Sequence, residues 1–404
     1  MIVIVVAGGL ILALSFGLRS VFGGFVEPLS QDLFDGQIAV FSLSLALQNL
    51  IWGVAQPVFG MLADKYGDRR ALWTGFLCYG AGMALVVYGA SPATMHLGAG
   101  LLVGMGIAGT AFGLVLAVVG RAAPVDKRDT YLGITSALGS AGQVVMPLLA
   151  AALTDWLDWR MALTILMLLL LPMALCIPLL RLEEPAPAAA APPAPPLMQT
   201  IANAFQQPSY VFLCAGFFVC GFHVAFISAH LPTYVQYFCS GTTMTPEELR
   251  GWGLQALSVV GLANIFGTLL ASRLGTVFPK PYVLASIYGL RAVVILVFIS
   301  APLTPTSVMV FAAMMGVLWL STVPLTSALV LTMFGPRAMA TLFGFVFLSH
   351  QLGGFIGVWW AGQRFDLYAD YDLVWQVSIL LGIASAALHL MVRDGPAPMH
   401  SAPA

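Results

Sequence analysis

Long apolar runs separated by short polar segments recur along the whole chain. A helix of roughly 20 apolar residues crosses the hydrocarbon core of a bilayer, whereas the strands of a membrane barrel would be short and would alternate. The pattern therefore predicts an all-α membrane protein with twelve transmembrane helices. The spans are expected at residues 2–28, 39–62, 72–90, 95–120, 130–153, 160–180, 209–236, 252–272, 282–301, 305–334, 339–362 and 373–392.

The segment 181–208 interrupts this pattern with a run rich in Pro and Ala. Such a run does not form a continuous helix and behaves as an extended linker. It divides the spans into six and six, which suggests an internal duplication. We therefore expect two pseudo-symmetric six-helix bundles, residues 1–180 and 209–393, joined by a cytoplasmic linker at 181–208. Residues 394–404 are expected to form a disordered tail.

Composition supports the membrane class and narrows the partners. The chain is 60% hydrophobic and 8% charged, with a net charge of −1, so nothing suggests binding to nucleic acid. The bilayer is the expected partner, and no cofactor is predicted. The five cysteines are odd in number and mostly sit in apolar runs, which indicates packing residues. The first apolar run lacks a basic start and a cleavage site, so we interpret it as a retained span.

Basic residues are unevenly distributed between the two sides of the predicted topology. With both termini on one side, eleven Lys and Arg residues lie in loops of that side and three in loops of the other. Cytoplasmic loops carry the excess of Lys and Arg, so both termini are predicted to be cytoplasmic. The eleven are Lys65, Arg69, Arg70, Arg121, Lys127, Arg128, Arg181, Arg273, Lys280, Arg337 and Arg393; the three are Arg160, Arg250 and Arg364.

The stretch from Gly60 to Leu72 concentrates five charges between two membrane-length apolar runs. Glycine, acidic and basic residues recur in this stretch at fixed spacing, and they are Gly60, Asp64, Lys65, Gly67, Arg69 and Arg70. A related loop follows the eighth span, where Arg273-Leu274-Gly275 aligns with Lys65-Tyr66-Gly67 and Ser272 stands opposite Asp64. The second copy of the motif is therefore degraded.

The pattern Gly60-x-Leu62-Ala63-Asp64-Lys65-x-Gly67-x-Arg69-Arg70 resembles the signature loop of the major facilitator superfamily. Twelve spans with a central linker fit that superfamily over essentially the whole chain. A narrower resemblance, to bacterial relatives of the monocarboxylate and oxalate/formate transporters, rests on SFGLRSVFGGFVEPLSQDL, GITSALGSAGQVVMPLL and FGFVFLSHQLGGFIGVWWAG. One departure is that the eighth helix carries Asn264 and no acid, where related carriers often place an acid and an arginine.

The resemblance implies a secondary transporter that works by alternating access, in the plasma membrane of a bacterium (the inner membrane), and a functional monomer. Helices one, four, seven and ten would line the cavity, and helices three, six, nine and twelve would face outward. The Gly60–Leu72 loop would form a cytoplasmic gate, with Asp64 meeting helix N-termini and basic residues of the opposite bundle.

Arg19 is the sharpest candidate for chemistry because it lies well inside the first span. A buried guanidinium needs a partner or a water-filled cavity, and it binds a carboxylate through two parallel hydrogen bonds. Arg19 is thus predicted to bind a small, monocarboxylate-like organic anion; a structural pair with Glu27 is the alternative. Arg291, in a peripheral helix, is expected to pair with neighbouring helix ends or to extend its charge to the membrane surface.

Proton coupling is expected, and three residues are its candidates. Glu27 is the one acid that could lie within a span, although a solvated acid at a helix end is the competing interpretation. His223 and His350 lie within the seventh and eleventh spans, and histidine titrates near neutral pH. Either imidazole could instead be neutral and bonded to a helix backbone.

Further polar residues in the spans are costly against lipid and should face inward, to line the cavity or to bond helix to helix. The predicted substrate-binding set is Arg19, Gln143, His223, Asn264, His350 and Gln351. A metal site is not expected, since no HExxH pattern occurs. The main alternative function is an exporter of an amphipathic drug or metabolite. A membrane enzyme and a sensor are disfavoured, because neither a cluster of catalytic residues nor an appended domain is visible.

Overall fold

A computed structural model describes residues 1–124, 127–180 and 197–396, with the backbone alone at 64, 128–130, 197 and 336–340. This part of the chain contains twelve helices long and apolar enough to cross a membrane. The expected all-α class with twelve candidate transmembrane helices is confirmed. From the first to the twelfth they are Ile2–Leu33, Ile38–Ala63, Asp68–Tyr88, Pro92–Ala122, Tyr131–Trp156, Trp159–Leu179, Pro208–Phe238, Pro246–Val277, Lys280–Ser300, Pro305–Gly335, Thr341–Tyr368 and Asp372–Leu390.

The eighth helix begins earlier than predicted, at Pro246 instead of residue 252. Thr245 and Glu248 form a reciprocal capping box, in which each side chain accepts a hydrogen bond from the backbone N–H of the other. The cap satisfies two donors that the helix leaves open, so the helix extends through a polar turn that hydropathy excludes. This extension carries Arg250 from a predicted loop into the helix.

Several membrane helices are discontinuous. The first consists of Ile2–Val21, a 3₁₀ turn at Phe22–Phe25 and Val26–Leu33. The tenth is interrupted between Leu318 and Thr322, and Gly335, with φ of +76°, separates it from the eleventh. The remaining broken helices are the fourth, made of Pro92–Met95, His96–Leu102, Val103–Thr110 and Phe112–Ala122, and the sixth, made of Trp159–Leu168, Leu171–Cys176 and Ile177–Leu179.

The helices form two bundles, each around its own hydrophobic core. The first core is built from residues 7–180 and the second from 204–392, and Ala225, Ala229, Leu254 and Val358 of the second bundle also pack on the first core. The Pro/Ala-rich part of the predicted linker, 181–196, and residues 397–404 of the predicted tail lie outside the described residues.

The end of the predicted extended linker is instead helical, at Leu197–Phe205. The sequence loses its prolines after residue 196 and regains a helical apolar pattern, which explains the difference. The ring of Phe205 packs on Tyr210 and on Phe345, at centroid distances of 5.3 and 5.8 Å. This short helix therefore lies against the seventh and eleventh helices.

We call the side on which the first helix begins the terminal face. The distal face is the opposite side, with the turns at 34–37, 89–91, 157–158, 239–245, 301–304 and 369–371. Within the described residues, the hydrogen bonds and the ion pair between the bundles all lie toward the distal face; they join Glu27 to Arg250, Gln31 to Tyr237, and Ile38 and Ala39 to Asp366.

Glycines nearer the terminal face lack the close neighbours that a glycine at mid-membrane has. At mid-membrane, a Cβ built on Gly53 of the second helix would lie 2.9 Å from the Gln351 side chain of the eleventh. Nearer the terminal face, Cβ atoms built on Gly60, Gly133 and Gly344 of the second, fifth and eleventh helices would meet no atom within 4 Å. Within the described residues, the polar contacts between the bundles thus lie toward the distal face, and these three glycines have open space around them.

Candidate functional site

A small, partly open cavity lies between the two bundles at mid-membrane. Its wall combines the first and second helices with the seventh and eleventh, so an occupant would contact both bundles. The lining residues are Arg19, Phe22, Gly23, Leu45, Gln48, Asn49, Ala225, Ser228, Ala229 and Val358. We call this the arginine cavity, because Arg19 is its one charged lining residue.

Arg19 is held by neutral groups. Its Nη2 donates a hydrogen bond to Oδ1 of Asn49 at 2.7 Å, and its guanidinium lies 5.1 Å from the centre of the Trp52 ring. Asn49 is itself oriented, because its Nδ2 donates to the Leu45 carbonyl at 2.9 Å. The Nε of Arg19 is buried without a hydrogen-bond partner. Among the described residues, no carboxylate lies within ion-pair distance of this guanidinium.

The alternative pair between Arg19 and Glu27 is not formed. Glu27 is buried, and its Oε2 accepts a hydrogen bond from Nη1 of Arg250 at 3.1 Å. The idea of a solvated helix-end acid at Glu27 is therefore wrong, because the eighth helix of the other bundle covers it. The loop position expected for Arg250 is wrong for the same reason. Of the proton-coupling candidates, Glu27 alone joins the two bundles by an ion pair in the described structure.

A second small cavity adjoins the first. It is lined by Ser20, Gln143, Ser228, Leu257, Val260, Gly261 and Trp319, and Ser228 lines both cavities. We call it the glutamine cavity. Two of the six predicted substrate-binding residues thus reach a cavity, Arg19 in one and Gln143 in the other.

The other four predicted substrate-binding residues do not line either cavity. Nε2 of His223 donates to the Ser378 carbonyl of the twelfth helix at 2.8 Å, as expected for a backbone-bonded imidazole. The His350 ring packs on Phe217 of the seventh helix, with centroids 5.0 Å apart. Gln351 is buried against Gly53 of the second helix. These three therefore pack helices together in this conformation.

Asn264, the fourth, lies at the interruption of the tenth helix. Its Oδ1 accepts hydrogen bonds from the Leu320 backbone N–H at 2.9 Å and from the Thr268 hydroxyl at 3.2 Å. Arg291 binds the carbonyl groups on the other side of the interruption. It is fully buried, and its guanidinium donates to the carbonyls of Leu318, at 2.6 Å, and Trp319. Arg291 thus pairs with a helix end, as expected.

The Gly60–Leu72 loop makes its described polar contacts within the first bundle. Gly67 adopts φ of +90° in the turn, and Asp68 forms a 2.6 Å ion pair with Arg121 at the end of the fourth helix. Nη2 of Arg69 donates to the Pro178 carbonyl at 3.4 Å. Lys65 and Arg70 are exposed, and the Asp64 side chain lies outside the described residues. In the second-bundle copy, the Ser272 hydroxyl donates to the Thr268 carbonyl of its own helix.

Ser228 is a lining residue that sequence analysis missed. A single serine inside an apolar span carries little signal, since serine is common in helix packing. Among the described residues, no group of three or more His, Cys, Asp and Glu side chains is placed to hold a metal ion. The chemistry of the site therefore rests on one guanidinium, amides, hydroxyls and aromatic rings.

Comparison with known proteins gives three findings. The family model described as Major Facilitator Superfamily matches residues 8–358. The chain is 23% identical over 392 residues to the uncharacterised MFS-type transporter YcxA of Bacillus subtilis, covering 92% of this chain and 90% of that one. It is 25% identical over 369 residues to monocarboxylate transporter 13 of Rattus norvegicus, covering 89% and 81%.

The fold is also similar to a solved structure. The crystal structure of a D-xylose-proton symporter aligns with a TM-score of 0.71 at 14% sequence identity, covering 97% of both chains. At this identity the match shows the arrangement of helices alone.

Proposed function

The chain belongs to the major facilitator superfamily, and we propose that it carries a small, monocarboxylate-like organic anion across the membrane by alternating access. It is a multi-pass membrane protein with twelve candidate spans. The substrate site of the proposal is the arginine cavity, at the interface of the two bundles. An anion held there would be released when the bundles change which face they close.

The observation that carries the proposal is the state of Arg19. A guanidinium inside the membrane needs an anionic partner or access to water. Asn49 and Trp52 orient Arg19 without neutralising it, and its Nε has no partner. A substrate carboxylate would supply the missing charge and accept hydrogen bonds in the planar geometry that a guanidinium favours. The similarity to monocarboxylate transporter 13 supports the same substrate class.

For the direction of access, we place both termini in the cytoplasm, from the excess of Lys and Arg in the loops of the terminal face. The membrane is then the plasma membrane of a bacterium, in keeping with the relative from Bacillus subtilis, and the conformation opens toward the cytoplasm. For coupling, we propose a proton carried by Glu27. Its protonation would remove the charge that attracts Arg250 across the bundle interface.

Transport by purified protein in liposomes tests the substrate class. Uptake of radiolabelled propionate and lactate is compared for the parent chain, Arg19→Gln and Arg19→Lys. We expect Arg19→Gln to reduce uptake by about tenfold or more, the equivalent of one charge-assisted hydrogen bond. Lysine keeps the charge without the planar fork, so Arg19→Lys should fall between the two.

Arg160→Gln is the matched control, because Arg160 lies at the distal face, beside Asp32 and far from the cavity. It should retain parental uptake. Full uptake by Arg19→Gln would show that the carboxylate is not bound there. A series of pH gradients imposed across the liposome membrane tests proton coupling. If the rate of uptake does not change with the gradient in either the parent chain or Glu27→Gln, no proton is coupled to transport.

A further inference from the structure

We infer that the glutamine cavity is a subsite for a neutral, hydrogen-bonding extension of the substrate whose carboxylate lies at Arg19. The expected substrate class is then a monocarboxylate with a hydroxyl, keto or amide group on its tail, and dicarboxylates are excluded. This inference rests on the proposed function, because the carboxylate site defines where the tail begins.

The two cavities are placed to hold the two ends of one molecule. Ser228 lines both of them, and Ser20 of the glutamine cavity directly follows Arg19 of the arginine cavity. A ligand anchored by its carboxylate at Arg19 therefore extends past Ser228 into the second space. A short ligand such as propionate would leave that space unfilled.

The lining of the glutamine cavity selects for a neutral polar tail. Its described lining residues carry no charge, so a second carboxylate would be buried without a cation. The Gln143 amide makes no hydrogen bond within the described structure, although it offers two donors and an acceptor. Leu257, Val260 and Trp319 supply apolar surface around it. A tail that pairs with Gln143 gains a hydrogen bond that a hydrocarbon tail does not.

Gln143 is fixed by the contact between the bundles. A Cβ built on Gly261 of the eighth helix would lie 2.9 Å from the Gln143 carbonyl oxygen, so the two backbones pack closely. Ser20 and Gln143 come from the first bundle, whereas Leu257, Val260 and Trp319 come from the second. The tail would therefore be enclosed only while the fifth and eighth helices are together, which links recognition of the tail to the conformational state.

The test measures binding by calorimetry to the full-length protein in detergent, with propionate, butyrate, γ-hydroxybutyrate and succinate as ligands. The parent chain is compared with Gln143→Leu, which keeps the size of the side chain and removes its hydrogen bonding. We expect the parent to bind γ-hydroxybutyrate about tenfold more tightly than butyrate, the effect of one hydrogen bond. Succinate should bind more weakly than γ-hydroxybutyrate.

In Gln143→Leu the preference for γ-hydroxybutyrate should disappear, while the affinity for propionate stays at the parental value. Retained propionate binding also shows that the variant is folded. Gln206→Leu, in the exposed turn that follows the short helix Leu197–Phe205, is the matched control and should behave as the parent.

Two results would overturn the subsite and leave the carboxylate site standing: equal losses for propionate and γ-hydroxybutyrate in Gln143→Leu, or an unchanged preference. Propionate binding that survives Arg19→Gln would instead overturn the carboxylate site, and the subsite with it. Tight binding of succinate would contradict the neutral tail specifically.

Discussion

The Oε2 atom of Glu27 lies 3.1 Å from Nη1 of Arg250, and this ion pair joins the first helix to the eighth across the bundle interface. Both side chains are 11% exposed, so water screens the pair little. Removing one partner of a buried pair leaves a charge without compensation, which costs far more than the pair contributes by itself. Closure of the distal face therefore depends on both residues.

Glu27→Gln should open the distal face. The variant leaves Arg250 buried without an anion in the closed state, which should cost that state about 3 kcal/mol relative to an open one. Electron paramagnetic resonance between spin labels on Gln37→Cys and Glu247→Cys measures the opening, since these exposed positions belong to different bundles at the distal face. We expect a new population at longer distance.

Asp370→Asn is the matched control for this experiment. Asp370 pairs with Arg364 at 2.9 Å on the same face, but within the second bundle. It should leave the distance distribution unchanged, and the charge-reversed double variant Glu27→Arg with Arg250→Glu should restore the closed population. An unaltered distribution in Glu27→Gln would show that the pair does not hold the face shut.

Asp366→Ala should weaken the same closure by a smaller amount. Its two carboxylate oxygens accept hydrogen bonds from the backbone N–H groups of Ile38 and Ala39, each at 2.9 Å, so an acid of the second bundle caps a helix of the first. Loss of such a cap costs about 1 kcal/mol. The spin-label distance should shift part of the way toward that of Glu27→Gln.

Asp158→Ala separates the closure effect from simple loss of a cap. Asp158 caps the sixth helix within its own bundle, accepting from the N–H groups of Arg160 and Met161. Both alanine variants should lower the thermal midpoint, but only Asp366→Ala should change the distance between the bundles. Equal distance changes would mean that the cap of the second helix has no special part in closure.

Gly23→Ala should prevent the distal face from closing fully. A Cβ at residue 23 would meet the backbone carbonyl oxygen of Ser228, and a backbone atom does not move aside as a side chain does. The first and seventh helices would have to separate, so substrate binding in the arginine cavity should weaken along with closure. Spin-label distances and propionate affinity, measured on the same protein, test both effects.

Gly80→Ala is the matched control for this change, because a Cβ there would meet no atom within 4 Å. It should be neutral or stabilise the third helix by about 0.5 kcal/mol, as expected from the lower helix propensity of glycine. If Gly23→Ala behaves the same way, the close approach of the first and seventh helices is not required.

Sequence patterns predicted the membrane helices and singled out Arg19 as a candidate binding residue, because both predictions follow from local composition. Twenty apolar residues must span a membrane as a helix, and a guanidinium in the middle of such a run is conspicuous. The partners of Arg19 were not predictable in the same way. Asn49 lies thirty residues away on another helix, so its contact with Arg19 depends on how two helices rotate. Polarity alone predicts only that a residue such as Asn49 faces inward.

The ion pair between Glu27 and Arg250 at the distal face was not predictable for a related reason. Arg250 follows a polar turn and has the sequence context of a loop cation, whereas the Thr245 cap places it inside a helix. Its pairing with Glu27 joins residues 223 positions apart, across the two halves of the chain. The interruption of the tenth helix does have a signal in the sequence, because Pro324 has no N–H to donate to the carbonyl of Leu320 four residues earlier.

Arg291 should be required for the broken tenth helix. Arg291→Met removes the donors to the Leu318 and Trp319 carbonyls, leaving buried acceptors unpaired at a cost of about 3 kcal/mol. The thermal midpoint should fall. The affinity for γ-hydroxybutyrate should fall by more than the affinity for propionate, because Trp319 lines the glutamine cavity. Arg273→Met, an exposed change on the eighth helix, should alter neither quantity.

Arg291→Lys keeps the charge but has no planar fork to span two carbonyls, so it should recover only part of the midpoint. Full recovery by lysine would mean that charge alone matters at this position, and an unchanged midpoint in Arg291→Met would show that the interruption holds without the guanidinium.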